Sequence, residues 1–293
     1  VVHSGHDFYS SPRLSSDAER LAFLVWDHPN MPWDGNELFV ATLDTTGRIV
    51  TETLVAGGVA ESVFQPEWLT PERLVFVSDA SGYWNFYSYD SSGIYCLNED
   101  AADYGTAQWA FGIRTYIPIS DRVLVANRID KGVAALVFVD VDNGMVTPLE
   151  DRFSSFASLN RTATGIAFVA GKPDDLNAVV RMDLTTTEII KVATQGTLDI
   201  DRDYFSFPEQ LVYENADGLE TFANFYPPRH PLAVGHVTQR PPLLVISHGG
   251  PTGHAGRDLN FRIQYYTSRG WAVVDVDYGG STGYGRAYRR RLD

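Results

Sequence analysis

A short glycine-rich stretch near the end of the chain carries the residue types of a serine nucleophile. In it, Gly279-Gly-Ser-Thr-Gly283 fits the Gly-x-Ser-x-Gly pattern, in which a serine sits on a tight turn between a strand and a helix. An apolar run at residues 271–276 precedes the motif, and a helix-compatible stretch at residues 286–292 follows it. The local context therefore allows Ser281 to be a catalytic serine.

The sequence after Ser281 argues against that role. A nucleophile of this kind is followed along the chain by an acid and then by a histidine. Twelve residues follow Ser281, and they contain one acid, Asp293, and no histidine. The sequence therefore predicts that Ser281 is not the nucleophile, despite the match to the pattern.

Metal and phosphate chemistry find little support in the sequence. The seven histidines are dispersed, and His3 with His6 and His248 with His254 lack cysteine or carboxylate companions at metal-ligand spacing. The glycine-rich stretch has no Gly-Lys-Ser/Thr to hold a phosphate group. We therefore predict neither a metal nor a cofactor.

The elements that position these residues begin with a repeat in the first two hundred residues. Four segments share one plan, a polar turn followed by two apolar strands, the second of which closes on an aspartate. The closing aspartates, Asp44, Asp90, Asp140 and Asp183, lie 46, 50 and 43 residues apart. The predicted strands are residues 21–26 and 37–44, 74–78 and 85–90, 123–126 and 135–140, and 165–170 and 178–183.

This spacing suits the four-stranded blades of a β-propeller, at roughly 40–50 residues a blade. A β-sandwich also has short strands at regular intervals, but the shared internal plan favours the propeller. A ring of four blades is uncommon, so we expect further blades before Val1.

The pattern changes after Pro208. Residues 211–214 and 221–226 flank Asn215-Ala-Asp-Gly218, which predicts an antiparallel hairpin. An apolar run at residues 243–247 predicts a strand buried on both faces, and Asp258 is the expected N-cap of a helix. With the strand at residues 271–276, these elements predict a parallel strand–helix–strand crossover. We therefore place the blades in residues 1–204 and a second domain in residues 205–293.

The sequences "LLVISHGGPTGH" and "RGWAVVDVDYGGSTGYGRAYRRRLD", after the repeats and the hairpin "LVYENADGLETFANFYPP", resemble the prolyl oligopeptidase family of serine peptidases. Within that family the acylaminoacyl-peptidase branch is the most similar. The resemblance is specific over residues 208–293 and extends to the repeats. It implies a β-propeller, of which four blades are visible here, followed by the N-terminal part of an α/β-hydrolase domain.

The resemblance also implies roles for individual residues. His248, Gly249, Gly250 and Pro251 are expected to shape the oxyanion hole, with the backbone N–H of Gly250 as the donor. Ser281 then lies one strand too early, because in this fold the oxyanion turn follows the third strand and the nucleophile follows the fifth. The Ser-Asp-His triad is expected beyond residue 293.

The resulting prediction is a fragment of a cytoplasmic serine peptidase that cleaves short or N-terminally blocked peptides by acyl transfer. Without a triad, the chain alone is predicted to be inactive. The alternative is a non-catalytic, propeller-based peptide-binding or scaffold module. A formal net charge of −14 disfavours nucleic-acid and anionic-membrane partners. The single cysteine, Cys96, cannot form an internal disulfide, which suits a reducing compartment.

Overall fold

In the computed structural model, which describes residues 1–236 and 238–293, nearly all regular structure is β-sheet. The described residues form five sheets of four strands each. The α-helices α1 (Phe261–Thr267) and α2 (Arg286–Arg289) are short, and 3₁₀ turns span Arg202–Tyr204 and Arg290–Leu292. Helices therefore form only a small part of the regular structure, and both α-helices occur in the region of the chain that forms or follows the fifth sheet.

The first four sheets are built alike, each from four consecutive strands whose order in the sheet follows the chain. Adjacent strands pair antiparallel, as in a propeller blade. Sheet 1 contains β1 (Phe8–Leu14), β2 (Arg20–Trp26), β3 (Asn36–Leu43) and β4 (Ile49–Gly58), and sheet 2 contains β5 (Val63–Trp68), β6 (Leu74–Ser78), β7 (Asn85–Asp90) and β8 (Gly93–Cys96). Sheet 3 contains β9 (Tyr116–Pro118), β10 (Val123–Asp130), β11 (Val133–Asp140) and β12 (Val146–Glu150), and sheet 4 contains β13 (Ser155–Arg161), β14 (Gly165–Lys172), β15 (Asp175–Asp183) and β16 (Ile189–Thr194).

The eight strands predicted from the repeat are confirmed. They are the second and third strands of each sheet, and the bounds of β6 and β7 coincide with the predicted ones. These strands are apolar because they form the core: β6 is buried along its whole length. Large rings fill the interior shared by sheets 2 and 3, among them Trp84, Phe86, Tyr104 and Tyr116.

The four closing aspartates share one structural role. In each, a carboxylate oxygen accepts a hydrogen bond from the backbone N–H two residues further on, at 2.8 Å for Asp44, 2.7 Å for Asp90, 2.9 Å for Asp140 and 2.8 Å for Asp183. This local bond forms an Asx turn, which reverses the chain. The turn fixes the end of the third strand in each of sheets 1 to 4, which explains why the aspartate recurs.

The fifth sheet combines antiparallel and parallel pairing. It contains β17 (Glu209–Glu214), β18 (Glu220–Tyr226), β19 (Leu243–Ser247) and β20 (Ala272–Asp277), in the order β17-β18-β20-β19. β17 and β18 form the predicted antiparallel hairpin. β19 and β20 pair in parallel and are connected through α1, so the predicted crossover is also confirmed.

Two expectations about this sheet are wrong. β19 is not buried on both faces: Leu244 and Ile246 pack against α1, but Leu243 and Val245, which point to the opposite face, are exposed because no described residue covers them there. Asp258 does not cap α1. The N-cap is Asn260, whose side-chain oxygen accepts from the N–H groups of Arg262 and Ile263.

Asp258 instead accepts hydrogen bonds from the hydroxyls of Ser154 and Ser155, at 2.5 and 2.6 Å. These partners lie more than a hundred positions earlier in the chain, so no local pattern could indicate them. The carboxylate thereby fastens the segment before α1 to the start of β13.

The chain divides into two compact units. The first comprises Val1–Asp130, Leu136–Leu149 and Tyr284–Arg286, and the second comprises Lys131–Ala135, Glu150–Gly283 and Ala287–Asp293. The fourth sheet is thus grouped with the fifth. The predicted domain boundary between residues 204 and 205 stays a prediction. In the part of the chain that the structure describes, no helix is long and apolar enough to cross a membrane.

Candidate functional site

The candidate site lies at the carboxyl ends of the two parallel strands of the fifth sheet. Ser247, the last residue of β19, is in register with Val276 in β20. The His248–Pro251 turn and the glycine-rich stretch after Asp277 therefore leave the sheet at the same edge. This edge is where ligands bind in open parallel sheets.

A backbone hydrogen bond joins the two motifs, and another holds the glycine-rich stretch against Tyr288. The N–H of Thr282 donates to the carbonyl of Gly253 at 2.9 Å, and the N–H of Gly280 donates to the carbonyl of Tyr288 at 2.9 Å. Gly280 and Gly283 have φ values of +122° and +93°, a region that side chains other than glycine rarely adopt. The structure thus brings His248–Pro251 and Ser281 together, as parts of one loop cluster.

Glycine is required at position 250 by close backbone packing. A Cβ atom there would lie 2.9 Å from the backbone nitrogen of Thr252 and 3.1 Å from that of Gly253. Within the described chain, the N–H of Gly250 donates no hydrogen bond to a protein acceptor. A Cβ at position 249 would meet nothing within 4 Å, so the turn is open on that side.

The side chain of His248 is held by two polar contacts and one stacked ring. Its Nε2 lies 2.7 Å from the hydroxyl of Ser281, and its Nδ1 lies 2.8 Å from the carbonyl oxygen of Gly249. The imidazole stacks on the ring of Tyr278, with the centroids 4.4 Å apart. These contacts fix the orientation of the side chain and, through it, the start of the turn.

The surroundings of Ser281 differ from those of a triad serine. Its side chain is fully buried, and its hydroxyl donates to the carbonyl of Tyr278 at 2.8 Å. Asp277 Oδ1 lies 3.8 Å from Nε2 of His248, the same nitrogen that contacts Ser281. In a triad, the carboxylate holds the opposite nitrogen of the imidazole. The arrangement therefore suits a residue that stabilises the loop.

A buried acidic pair, Asp275 and Asp277, adjoins the turn and was not predicted from the sequence. Asp277 accepts a hydrogen bond from the N–H of Ala255 at 2.6 Å, and Asn224 donates to the carbonyl of Ala255 at 3.1 Å. Burial, followed by the charge of Asp277, raises the pKa of Asp275 to about 6. The alternation Asp-Val-Asp inside an apolar strand was the signal that could have revealed this pair.

His254 lies near the same pair, and its side chain is exposed to solvent. Among the residues that the structure describes, no three His, Cys, Asp or Glu side chains are grouped so that they could hold a metal ion. His248, His254, Asp275 and Asp277 place two imidazoles and two carboxyl groups beside the turn.

The chain is similar to solved peptidases over nearly its whole length. A puromycin-hydrolysing peptidase of Mycobacterium tuberculosis is 35% identical with a TM-score of 0.94, over 99% of this chain and 45% of that chain. A puromycin hydrolase is 34% identical with a TM-score of 0.91, over 98% of this chain and 44% of that chain, and a mutant of it has been solved complexed with PGG. The chain thus spans less than half the length of these proteins.

More distant matches agree with these. The uncharacterized peptidase YuxL of Bacillus subtilis is 27% identical over 162 residues, which are 54% of this chain and 24% of that protein. A prolyl endopeptidase structure, 13% identical with a TM-score of 0.73, shares the fold over 95% of this chain and 39% of its own. No family model matches the chain.

Proposed function

Because this chain is built like peptidases of the prolyl oligopeptidase family over nearly its whole length, we propose that it carries the oxyanion turn of a serine peptidase. The proposed reaction is hydrolysis of short or N-terminally blocked peptides by acyl transfer. The complex of the puromycin hydrolase with PGG supports a short peptide as substrate. The fifth sheet is proposed to be the start of an α/β-hydrolase domain, and sheets 1 to 4 are proposed to be propeller blades.

The observation that carries this proposal is the backbone of Gly250. Its N–H has no acceptor within the described residues, and it lies in a turn that packing keeps in place. When a nucleophile adds to a peptide carbonyl, the oxygen gains negative charge, and a preorganised N–H stabilises that charge. Gly250 is proposed as this donor.

The other residues of the turn are proposed to keep this N–H in position. His248 does so through its bonds to Gly249 and Ser281, and Gly249 leaves room for the substrate. The carbonyl of Pro251 accepts a hydrogen bond from the hydroxyl of Tyr278 at 3.2 Å, which ties the turn to the loop after β20. Ser281 is proposed as a positioning residue, and the nucleophile, acid and base are not assigned to any residue from 1 to 293.

The test is a substitution at Gly250 in the protein as its gene encodes it, assayed with a chromogenic short peptide. Gly250→Val forces the turn to move, since its Cβ has no room. The loss of one oxyanion donor lowers kcat by about 10²–10³-fold. Gly256→Ala is the matched control, because a Cβ at position 256 would meet nothing within 4 Å.

An unchanged kcat in a folded Gly250→Val protein would remove Gly250 from the oxyanion hole. Absence of peptidase activity in the wild-type protein would instead support the alternative of a non-catalytic binding or scaffold module. The similarity to peptidases does not favour that alternative.

A further inference from the structure

An aromatic pocket in the first unit has no part in the proposed reaction. It has a volume of about 260 Å³ and lies among β1, the end of β2, the start of β5 and the segment at residues 108–113. Four aromatic rings line it, those of Trp26, Phe64, Trp109 and Phe111. We refer to it below as the aromatic pocket.

Two rings of the aromatic pocket are exposed to solvent, and two are packed on neighbouring rings. Phe111 is 81% exposed and Trp109 is 51% exposed. Trp109 packs on the buried ring of Trp33, with the centroids 4.2 Å apart, and Trp26 stacks on Phe8 at 5.3 Å. Rings that are already ordered lose little entropy when a ligand binds, so the pocket is prepared for an aromatic partner.

The polar groups of the aromatic pocket are uncharged. Among the described residues, no ionisable side chain lines it, although the chain has a formal net charge of −14. Ser10 is 8% exposed, and its buried hydroxyl has no hydrogen-bond partner among the described residues. The side-chain nitrogen of Gln108 donates to the carbonyl of Val63 at 2.9 Å, which leaves the amide oxygen of Gln108 to accept from a ligand.

An unsatisfied buried hydroxyl costs free energy, and a ligand that bonds to it recovers that cost. An apolar cavity of about 150 Å³ suffices for one benzene ring, so the aromatic pocket has room for a ring and a small polar group. A charged ligand would lose its hydration on entering the aromatic pocket without gaining an oppositely charged side chain there.

We propose that the aromatic pocket binds an uncharged aromatic ring joined to an amide. Two sources present this chemistry, an aromatic side chain of a peptide and a small aromatic amide. The proposal does not rest on the peptidase function, because it depends only on residues of the first unit.

The experiment measures ligand binding to the 1–293 chain by isothermal titration calorimetry or by ligand-observed NMR. N-acetyl-L-phenylalanine amide is expected to bind saturably, with a dissociation constant on the order of 1 mM. N-acetylglycine amide lacks the ring, and N-acetyl-L-phenylalanine carries a carboxylate, so both are expected to bind at least about tenfold more weakly. Benzamide separates the sources: equal affinity indicates a free aromatic amide, and weaker affinity indicates a peptide side chain.

Variants connect the binding to the aromatic pocket. Trp109→Ala is expected to weaken binding by about fivefold to tenfold through the loss of ring packing. Phe111→Ala is expected to weaken it by about threefold, and this variant is safe for folding because Phe111 is exposed. Trp271→Ala, a half-exposed tryptophan of the second unit, is the matched control and is expected to bind as the wild type does.

Equal binding of N-acetylglycine amide, no saturable binding of any aromatic ligand, or equal weakening by Trp271→Ala would each overturn the proposal. The proposal also fails if folded Trp109→Ala and Phe111→Ala bind as the wild type does. Self-association of the wild type that Trp109→Ala abolishes, without ligand binding, would identify the rings as a contact between two copies of the chain.

Discussion

The hydroxyl of Ser281 holds a turn together. It bonds to the carbonyl of Tyr278 and lies beside Nε2 of His248, while its backbone N–H also donates to Tyr278, at 3.0 Å. A reagent that modifies catalytic serines needs an accessible oxygen, and this oxygen is buried. The burial of Ser281 and the hydrogen bonds of its hydroxyl thus distinguish it from a nucleophilic serine, which the sequence motif alone does not do.

We predict that a fluorophosphonate probe does not label the 1–293 chain at Ser281. We also predict that Ser281→Ala lowers the free energy of unfolding by about 1–2 kcal/mol, because it removes a buried hydrogen bond and a partner of His248. Mass spectrometry after labelling and urea denaturation provide the two measurements. Ser92→Ala, at an exposed turn, is the control for denaturation.

Labelling of the wild type that Ser281→Ala abolishes would contradict this prediction and make Ser281 a reactive serine. A stability unchanged from the wild type would mean that the hydroxyl does not support the loop.

Strand β20 places two carboxyl groups on one face. Side chains alternate along a strand, so Asp275 and Asp277 are neighbours on the same side. The pKa of Asp275 is raised to about 6 from 3.8, so the folded state binds this proton more tightly than the unfolded state does. The protonated carboxyl of Asp275 therefore makes its full contribution to the stability of the folded state below about pH 4. This contribution is lost as the pH rises through about 6.

We predict that Asp275→Asn makes the protein more stable than the wild type at pH 7, by on the order of 1 kcal/mol after allowance for solvent screening. The advantage should disappear near pH 4, where the wild-type carboxyl is protonated in both states. Urea denaturation at several pH values measures the difference between the two proteins. Asp199→Asn, at an exposed position, should show no such dependence on pH. An advantage that is the same at pH 4 and pH 7 would contradict the prediction.

The contact of Asp258 with Ser154 and Ser155 joins two elements of the second unit. We predict that Asp258→Ala lowers the free energy of unfolding by about 2 kcal/mol, because both hydroxyls lose a charged acceptor. Gly171→Ala should have a similar effect, since its Cβ would lie within 2.4 Å of the Asp258 carboxylate. Gly235→Ala, whose Cβ meets nothing within 4 Å, is the control in the same denaturation assay. Stability unchanged in both test variants would show that this contact does not hold the elements together.

The elements that the sequence predicts well are those with local determinants. The third strands of sheets 1 to 4 end at Asx turns, whose donor and acceptor are two residues apart, so the ends of these strands follow from the local pattern. The exposure of β19 and the partners of Asp258 depend on residues far away in the chain. The motif at Ser281 was found from the sequence, but its burial depends on packing that no motif encodes.

β19 is an edge strand of the fifth sheet, and some of its apolar side chains are exposed to solvent. Val245 is 60% exposed and Leu243 is 53% exposed. An open edge of this kind is a template for pairing with another chain. We predict concentration-dependent self-association of the 1–293 chain, strengthened by salt because the net charge of −14 opposes it at low ionic strength.

Val245→Lys should suppress this association, because a charge at a sheet edge prevents further pairing. Val59→Lys, at an exposed residue of the first unit, adds the same charge elsewhere and is the control. Light scattering over a range of protein and salt concentrations provides the measurement. A wild-type monomer at all concentrations, or equal suppression by both variants, would contradict the prediction.

The grouping of Tyr284–Arg286 with the first unit has a consequence for the order of events during synthesis. The guanidinium of Arg286 pairs with the buried carboxylate of Asp79 at 2.5 Å, and it also donates to the carbonyl of Asp34 at 2.8 Å. A ribosome adds about 5–20 residues a second, so Arg286 appears roughly 7–27 s after Leu149, the previous residue of that unit. Throughout that interval the nascent first unit holds Asp79 without its arginine, and a chaperone that binds incomplete units has its longest opportunity there.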